Sequence, residues 1–424
     1  MSKQIYIFLF FSFASILFAQ NFTDKTISSI MVIGNDMTDD DVIKREMLIN
    51  IGDVYSDSLI DLSEKRIFNL ALFNYVDIIE VPDNNNVSLL ISVTERFYLF
   101  PYPEFRIEDR DWDKLTYGFG MAHVNFRGRN EKLLGVVLFG YRPGFEIEYA
   151  NPWIGTKARY TNSISIRKYS TMHRTMDFDE NHFAVNWNIG RFWTRYFSSI
   201  LGFYYDHVKV PQEIAPIMLS EQRKEDLFGL ALSFNFDNRD LTSYPSRGWY
   251  TKVALYQNGF FEPDINYFQY SLEAKHYKTI GNFTLAGRVS TLQTLGDLPI
   301  YKLVYFGFTE RLRGHFSEVY PGKHSAIANF EIRMPLLGEQ LFSLPSAFLP
   351  PSSTRNLKFG LNAALFYDTG IVWSYKREFG LKNFLQGFGV GLHFRLPYVE
   401  VARLELAFDE AANSEIIFEV GTSL

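Results

Sequence analysis

The sequence predicts a mainly β protein, a 16-stranded antiparallel transmembrane β-barrel preceded by one small α+β domain. Three observations carry this expectation. Apolar and polar side chains alternate with a period of two from about residue 97 onward. The chain is rich in residues that favour strands and membrane interfaces, with 41 Phe and 25 Tyr. It opens on an export-type segment, and no later stretch is a continuous apolar run long enough to span as a helix.

The opening segment, residues 1–19, has the order of a secretory signal peptide. Lys3 precedes an apolar run from Ile5 to Phe18 broken only by Ser12 and Ser15, and Ala19-Gln20 offers a small residue for cleavage. Leu17 departs from the small residue preferred two positions earlier. At about 14 residues the run is shorter than the roughly 20 a spanning helix needs, so any membrane crossing falls to strands. A net charge of −6 gives no basic excess for nucleic acid. The absence of cysteine excludes disulfides, thiolate metal sites and a lipid anchor on cysteine.

Residues 25–96 read as strand, helix, helix, strand, strand. Ile27, Ile30, Val32 and Ile33 form a strand that stops at Gly34-Asn35. Thr38 followed by Asp39, Asp40 and Asp41 predicts an N-cap hydroxyl with carboxylates in the first helical turn. Val42, Ile43, Met47 and Leu48 supply the buried face of that helix, which ends at Asn50–Asp53. A second helix is expected from Ser56 to Leu72, burying Leu59, Ser63, Ile67 and Leu70. Strands 75–81 and 87–93 then form a hairpin across the polar loop Pro82–Asn86.

From Phe97 to Leu424 the length gives about 20 residues per strand and connection for sixteen strands. Phe228, Leu230, Leu232, Phe234 and Phe236 alternate with Gly229, Ala231, Ser233, Asn235 and Asp237. Phe388, Val390, Leu392 and Phe394 alternate with Gly387, Gly389, Gly391 and His393. Leu404, Leu406 and Phe408 oppose Arg403, Glu405 and Asp409, and Ile416, Phe418 and Val420 oppose Glu415, Glu419 and Gly421. Each strand thus has one dry and one wet side. Small residues on the wet side suit a crowded lumen, and lipid forbids open sheet edges, so a barrel is favoured over a β-sandwich. The strands are expected at 98–107, 115–126, 133–141, 144–151, 158–169, 182–191, 196–207, 227–237, 248–258, 266–278, 283–294, 325–335, 357–369, 386–396, 401–409 and 415–423. The connections near 296–324, 338–356 and 208–226 are the longest and are expected on the extracellular side.

Several motifs resemble known families. Ile30-x-Val32-x-Gly34-Asn35, Gly52-Asp53-x-Tyr55, Leu72-Phe73-x-x-Val76 and Val93-x-Glu95 resemble a POTRA domain. Leu312-Arg313-Gly314-His315-Phe316 resembles the conserved loop of the BamA/TamA superfamily of outer-membrane assembly and translocation proteins, also called the bacterial surface antigen family. The resemblance implies a loop folded into the lumen, with its arginine on an acidic residue of a barrel strand. His315 stands where the family has Phe or Tyr, and Phe316 is the substitute for that wall contact. Leu365-Phe366-Tyr367-Asp368-Thr369-Gly370 resembles the family's acidic strand motif, and alternation points Phe366 and Asp368 into the lumen. A guanidinium fork can hold a carboxylate bidentately, and Gly314 permits close backbone approach, which makes Arg313–Asp368 the expected pair. Asn151-Pro152-Trp153, Asp237-Asn238-Arg239-Asp240 with Tyr244–Gly248, and Asn329-Phe330-Glu331-Ile332-Arg333-x-Pro335 complete an ordered set of matches.

Pro101 and Pro103 fall in the first expected strand, and proline cannot donate to a ladder. With Gly421 as a bend in the last strand, they suggest the hinge of a lateral gate, which the resemblance also implies; alternatively the prolines lie in the linker before the barrel. Leu424 departs from a terminal aromatic. No nucleophile elbow, phosphate-cradling loop or His-Glu-x-x-His occurs, so no enzyme activity, cofactor or metal is expected. The resemblance implies insertion or assembly of outer-membrane β-barrel proteins, the POTRA domain lying in the periplasm and the barrel in the cell outer membrane. Partners would be unfolded outer-membrane or exported polypeptides, outer-membrane lipid and periplasmic accessory proteins reached through the POTRA domain. A polypeptide or lipid translocation pore and a passive diffusion channel are the competing functions.

Overall fold

The structure is a computed structural model describing residues 25–107, 112–155, 159–306, 312–316, 318–345, 354–398 and 400–421. The signal segment, Glu310, Arg311 and Leu424 lie outside the described residues. Among those described, no helix is long and apolar enough to cross a membrane.

The N-terminal domain runs β1 (Ile27–Ile33), α1 (Asp40–Lys44), α2 (Asp57–Phe68), β2 (Phe73–Asp83) and β3 (Asn86–Glu95), with sheet order β1-β3-β2. Its core joins Ile43, Ile67, Phe73, Leu89 and Ile91, all fully buried. Three local expectations are corrected. Thr38 does not cap α1: the cap is Asp39, without a side-chain bond, because the Thr38 hydroxyl donates instead to Glu95 Oε1 at 2.6 Å. On α2 the buried row is Ile60, Ser63 and Ile67, the 3–4 spaced positions that face the sheet, while Leu59 one position away faces out and Leu70 packs on the core from beyond the helix end at Phe68. The hairpin turn is only Asn84-Asn85, because Pro82 and Asp83 stay paired with Val87 and Asn86 and Asn84 takes the left-handed conformation, φ +52°.

The large sheet comprises β4 (Leu99–Ile107), β5 (Leu115–Phe126), β6 (Glu131–Gly140), β7 (Gly144–Ile154), β8 (Tyr160–Met172), β9 (Asp179–Phe192), β10 (Phe197–Lys209), β11 (Lys224–Asp237), β12 (Gly248–Asn258), β13 (Tyr267–Ile280) and β14 (Phe283–Gly296). A short pair, β15 (Val304–Phe306) and β16 (Tyr320–Gly322), interrupts the longest connection. The sheet resumes with β17 (His324–Phe342), β18 (Leu357–Trp373), β19 (Leu385–Leu396), β20 (Glu400–Asp409) and β21 (Ser414–Val420). All sixteen strands pair antiparallel with their sequence neighbours. Alternation is realised as exposure: Phe228, Leu232, Phe234 and Phe236 are 37–38% exposed while Gly229 and Ser233 are buried. Contacts across the interior curl the sheet. Tyr244, between β11 and β12, reaches His393 on β19 at 3.0 Å, and Phe100 on β4 lies 5.9 Å from Tyr398, just after β19.

One connection sits opposite to expectation. The described residues at its two ends, 343–345 and 354–356, are at the POTRA end: Asn356 Nδ2 donates to Thr94 Oγ1 at 2.9 Å and Asn74 Nδ2 to the Arg355 carbonyl at 3.4 Å. Residues 338–342 belong to β17, which runs past its expected end because β18 continues to pair with it through two irregularities at Pro335–Gln340. The POTRA domain also meets the β11–β12 turn through Asn69 and Asp240 (2.9 Å), and Arg45 lies over Trp153 of β7 at 4.7 Å. At the β5–β6 turn, Asp39 N donates to Gly128 O at 3.0 Å. A buried hub fixes this join. Glu95 accepts from Thr38, whose hydroxyl also receives Asn125 Nδ2 of β5 at 2.9 Å and touches Tyr98 Oη at 2.9 Å. Burial pushes the Tyr98 hydroxyl well above its usual range.

Candidate functional site

Leu312–Phe316 lies inside the barrel against the wall made by β17–β21. Two glycines allow it. Gly314 has φ +97°, and a Cβ there would stand 2.8 Å from the Phe408 carbonyl. On β19, a Cβ at Gly387 would stand 1.6 Å from the Arg313 carbonyl, so only glycine lets the loop backbone lie on the wall. Leu312 is fully buried with Phe306 of β15 and Ile327 of β17. Gly370 keeps room for Phe306, whose ring would stand 2.8 Å from a Cβ.

Arg313 is 4% exposed, and each of its three guanidinium nitrogens donates to a buried carboxylate. Nε and Nη2 hold the two Asp368 oxygens at 2.7 Å each, and Nη1 donates to Glu331 Oε2 and Glu405 Oε1, both at 2.9 Å. The guanidinium stacks 3.7 Å from the centre of the Phe366 ring. The carboxylates are themselves paired: Glu331 with Arg333 at 2.5 Å, and Glu405 with Arg403 at 2.8 Å. Three carboxylates face three guanidiniums, so the buried charge is balanced. Glu331, His393 and Glu405 bring three potential ligand atoms within 4.8 Å of one another. Guanidiniums already occupy those carboxylates, which makes this an ion-pair network rather than a cation site.

The network reaches toward the POTRA end of the barrel and to its last strand. Toward the POTRA end, Tyr244 hydrogen-bonds His393 at 3.0 Å and lies under Arg333, 4.5 Å from ring centre to guanidinium. Toward β21, Glu415 accepts the Gly314 N–H at 2.7 Å and the Phe316 N–H at 3.2 Å, and Glu419 holds Arg403 at 2.7 Å. His315 is held chiefly by carboxylates, with an edge-on contact to Tyr320 of β16. Its Nδ1 meets Glu318 at 2.7 Å and its Nε2 meets Glu410 at 2.9 Å, while Phe316 packs on the Phe366, Ala407 and Ile417 cluster. The residues absent from the sequence-based site are Glu331, Arg333, Tyr244, His393, Arg403, Glu405 and Glu415.

Pro101 and Pro103 lie within β4, paired with Met121 and Phe119, and not in a linker. Val124 N donates to the Tyr98 carbonyl at 3.0 Å, which fixes the ladder's phase. Phe100, Tyr102 and Glu104 therefore bond β5, and Leu99, Pro101, Pro103 and Phe105 turn their backbone polar groups to the free edge. On β21, Gly421 N bonds Val401 O at 2.8 Å, so Ile416, Phe418 and Val420 face the other free edge. No ladder joins β4 to β21 among the described residues. Accordingly Ile416, Phe418 and Phe105 are 77%, 69% and 69% exposed, above outward residues inside the sheet such as Leu365 and Val289 at 57%. Gly421 lies just past β21 with φ +105°, at its end and not within it.

A POTRA-fronted, sixteen-stranded antiparallel sheet with an arginine loop clamped inside defines a class of outer-membrane β-barrel protein. The Omp85 superfamily domain model matches residues 125–424, and the POTRA model, surface antigen variable number repeat, matches residues 25–96. The chain belongs to the Omp85 superfamily. It is 23% identical over 394 residues to the outer membrane protein assembly factor BamA of Nitratidesulfovibrio vulgaris, covering 87% of this chain and 46% of that protein. A segment of 71 residues is 42% identical to the BamA of Neorickettsia risticii, covering 16% of this chain and 10% of that one. The chain thus spans about half the length of the first and a tenth of the second. The fold is similar to the crystal structure of BamA from Haemophilus ducreyi lacking POTRA domains 1–3, with TM-score 0.54 and 16% identity over 94% of this chain and 83% of that. It is also similar to CdiB from Escherichia coli, with TM-score 0.57 and 11% identity over 94% and 75%.

Proposed function

We propose that the protein assembles β-barrel clients into the outer membrane, using the seam between β4 and β21 as a template edge. The observation that carries this reading is the pair of free edges whose hydrogen-bonding capacity does not match. Both prolines of β4 fall on the seam side, so β4 offers its carbonyls there but lacks two donors. A client strand with a full set of N–H groups and carbonyls is a better partner for β21 than β4 is, and strand addition satisfies its backbone without water.

The loop network supplies the latch. Glu415 of β21 is held by two loop N–H groups, and Glu419 by Arg403. Lifting the loop frees β21 on its inner side while its ladder to β20 stays intact. The POTRA domain receives the client: β1 and β2 are the edges of its sheet, and Met31 and Ile79 expose apolar side chains in register on either side of Leu90.

The test exploits the absence of native cysteine. One engineered cysteine on β4 and one on β21 are crosslinked, with the bond verified by mass spectrometry. Client assembly is then expected to stop and to return on reduction; undiminished assembly in the crosslinked protein would remove the seam mechanism. Depletion followed by outer-membrane proteomics separates this from a dedicated translocation pore. Assembly predicts broad loss of barrel proteins, whereas a pore predicts loss of one exported substrate.

A further inference from the structure

At the end of the barrel opposite the POTRA domain, the connection between β18 and β19, residues 374–384, folds toward the lipid-facing side of the wall. Val372 packs inward with Phe306 and Leu312, so Trp373 points outward by alternation. There it stacks on His324 at 5.3 Å; Phe379 packs on Trp373 at 4.8 Å and Phe384 on Phe379 at 6.2 Å. Just below, Tyr367 and Gln386, both outward, hydrogen-bond at 2.9 Å and mark a polar upper limit of the apolar belt. The segment lies just beyond that polar pair, at the outer rim of the wall. It presents Leu381 at 90% exposure, the highest among the large apolar side chains of the described residues, together with Tyr375 at 63%.

Its charge runs against that of the chain. The whole protein carries −6, yet these residues hold Lys376, Arg377 and Lys382 against Glu378 alone. The Glu378 carboxylate is taken up by the segment's own backbone, accepting from Ser374 N at 2.8 Å and Tyr375 N at 3.1 Å. All three cations are exposed and none is in an ion pair among the described residues.

We propose that this segment is a lipid anchor: Tyr375, Phe379 and Leu381 enter the interfacial layer, and Lys376, Arg377 and Lys382 bind the phosphates of anionic lipid headgroups. Apolar side chains in the interface combined with basic ones at the phosphates is the arrangement that makes surface segments membrane-seeking. The position continues the lipid-facing surface of β18, so a lipid occupies it rather than a soluble partner. The proposal is independent of which client the barrel serves, and needs only that the barrel sits in a bilayer.

Native mass spectrometry of the full chain, released from mixed micelles of phosphatidic acid and phosphatidylcholine, tests it. The wild type is expected to retain phosphatidic acid in preference, and the preference to fall with added salt. The variant K376Q/R377Q/K382Q should lose roughly fivefold in phosphatidic acid affinity per cation, on the order of 100-fold in all, with phosphatidylcholine unchanged. L381S should weaken both lipids alike. A triple variant that still prefers phosphatidic acid overturns the proposal. So does K224Q, at an exposed position at the same end of the barrel, losing as much as K382Q alone, since net charge would then explain the effect. Glycerol 3-phosphate competing as well as the lipid would equally overturn it. If the triple variant fails to fold, a salt-insensitive preference in the wild type decides against the anchor.

Discussion

Two regions of the barrel wall, a few strands apart, are held by opposite means. Around Arg313, strands β17, β18 and β20 are tied to a loop from inside by a closed set of charge-assisted hydrogen bonds with almost no water contact. At the seam, β4 and β21 share no ladder among the described residues, and two of the donors β4 would supply are replaced by proline. Neighbouring strands in a membrane must satisfy their backbones, so a weak seam survives only if something else fixes the strand beside it. The loop does that through Glu415. On the proposed reading, the difference teaches that rigidity at Arg313 holds β21 in place where only its β20 side carries a ladder.

The largest effect is expected from breaking the rigid side. Arg313→Ala leaves Asp368, Glu331 and Glu405 buried together with one cation removed, a change of about 3–5 kcal/mol where no partner replaces it. Heat-induced mobility shifts on gels should show a barrel that unfolds at lower temperature, and client assembly should fall to background. The network also bears on charge exchange. R313D/D368R would suit an isolated pair, but here the new aspartate would face Glu331 and Glu405 at the positions that now receive Nη1. Exchange is therefore expected not to rescue the single variants, and substantial rescue would mean that those two carboxylates do not share Arg313.

A smaller effect should follow from moving the loop without touching its charges. Gly387→Ala puts a methyl group into the space of the Arg313 carbonyl, so the loop must rise from the wall or β19 must shift. Overpacking of this kind costs typically about 1–3 kcal/mol. Because Glu415 is bonded to the next residues of the loop, this variant should loosen β21 as well. Crosslinking between engineered cysteines on β20 and β21 would then slow, whereas crosslinking between β12 and β13 would not. Equal rates at both places would show that the loop does not hold β21.

Much of this was legible in the sequence, for a physical reason. Period-two alternation fixes which face each side chain takes, so the outward rows of β11, β19 and β20, and the lumenal side of Asp368, follow from residue order alone. What alternation cannot supply is the pairing of residues on distant strands. Glu331, Arg333, Arg403 and Glu405 are all on wet faces, yet nothing local says that they converge on one loop arginine. The clue was opposite charges at lumen positions of strands that flank the acidic motif. Tyr244 stands in the turn motif Tyr244–Gly248, but nothing in that motif names its partner His393, which is distant in the chain. The POTRA hub was misread for a related reason: Thr38 looked like a helix cap because its sequence neighbours suit one, and the competing acceptor, Glu95, is distant in the chain. The β17–β18 extension was missed because length, without the partner strand, places a long connection outside.

The smallest expected effect sharpens the comparison from the weak side. Substituting Pro101→Val and Pro103→Val restores two N–H groups on the free edge of β4 and lets it meet β21 with a full set of donors. Each hydrogen bond gained contributes about 0.5–1.5 kcal/mol net, and valine suits a strand. The double variant should be slightly more heat-stable than the wild type and slower in client assembly, because β21 then has a partner that a client must displace. Stability and activity moving in opposite directions would identify the prolines as the source of the seam's weakness. A variant that is less stable and less active would instead give the prolines a packing role in β4, and one that matches the wild type in both would place the weakness in β21 itself.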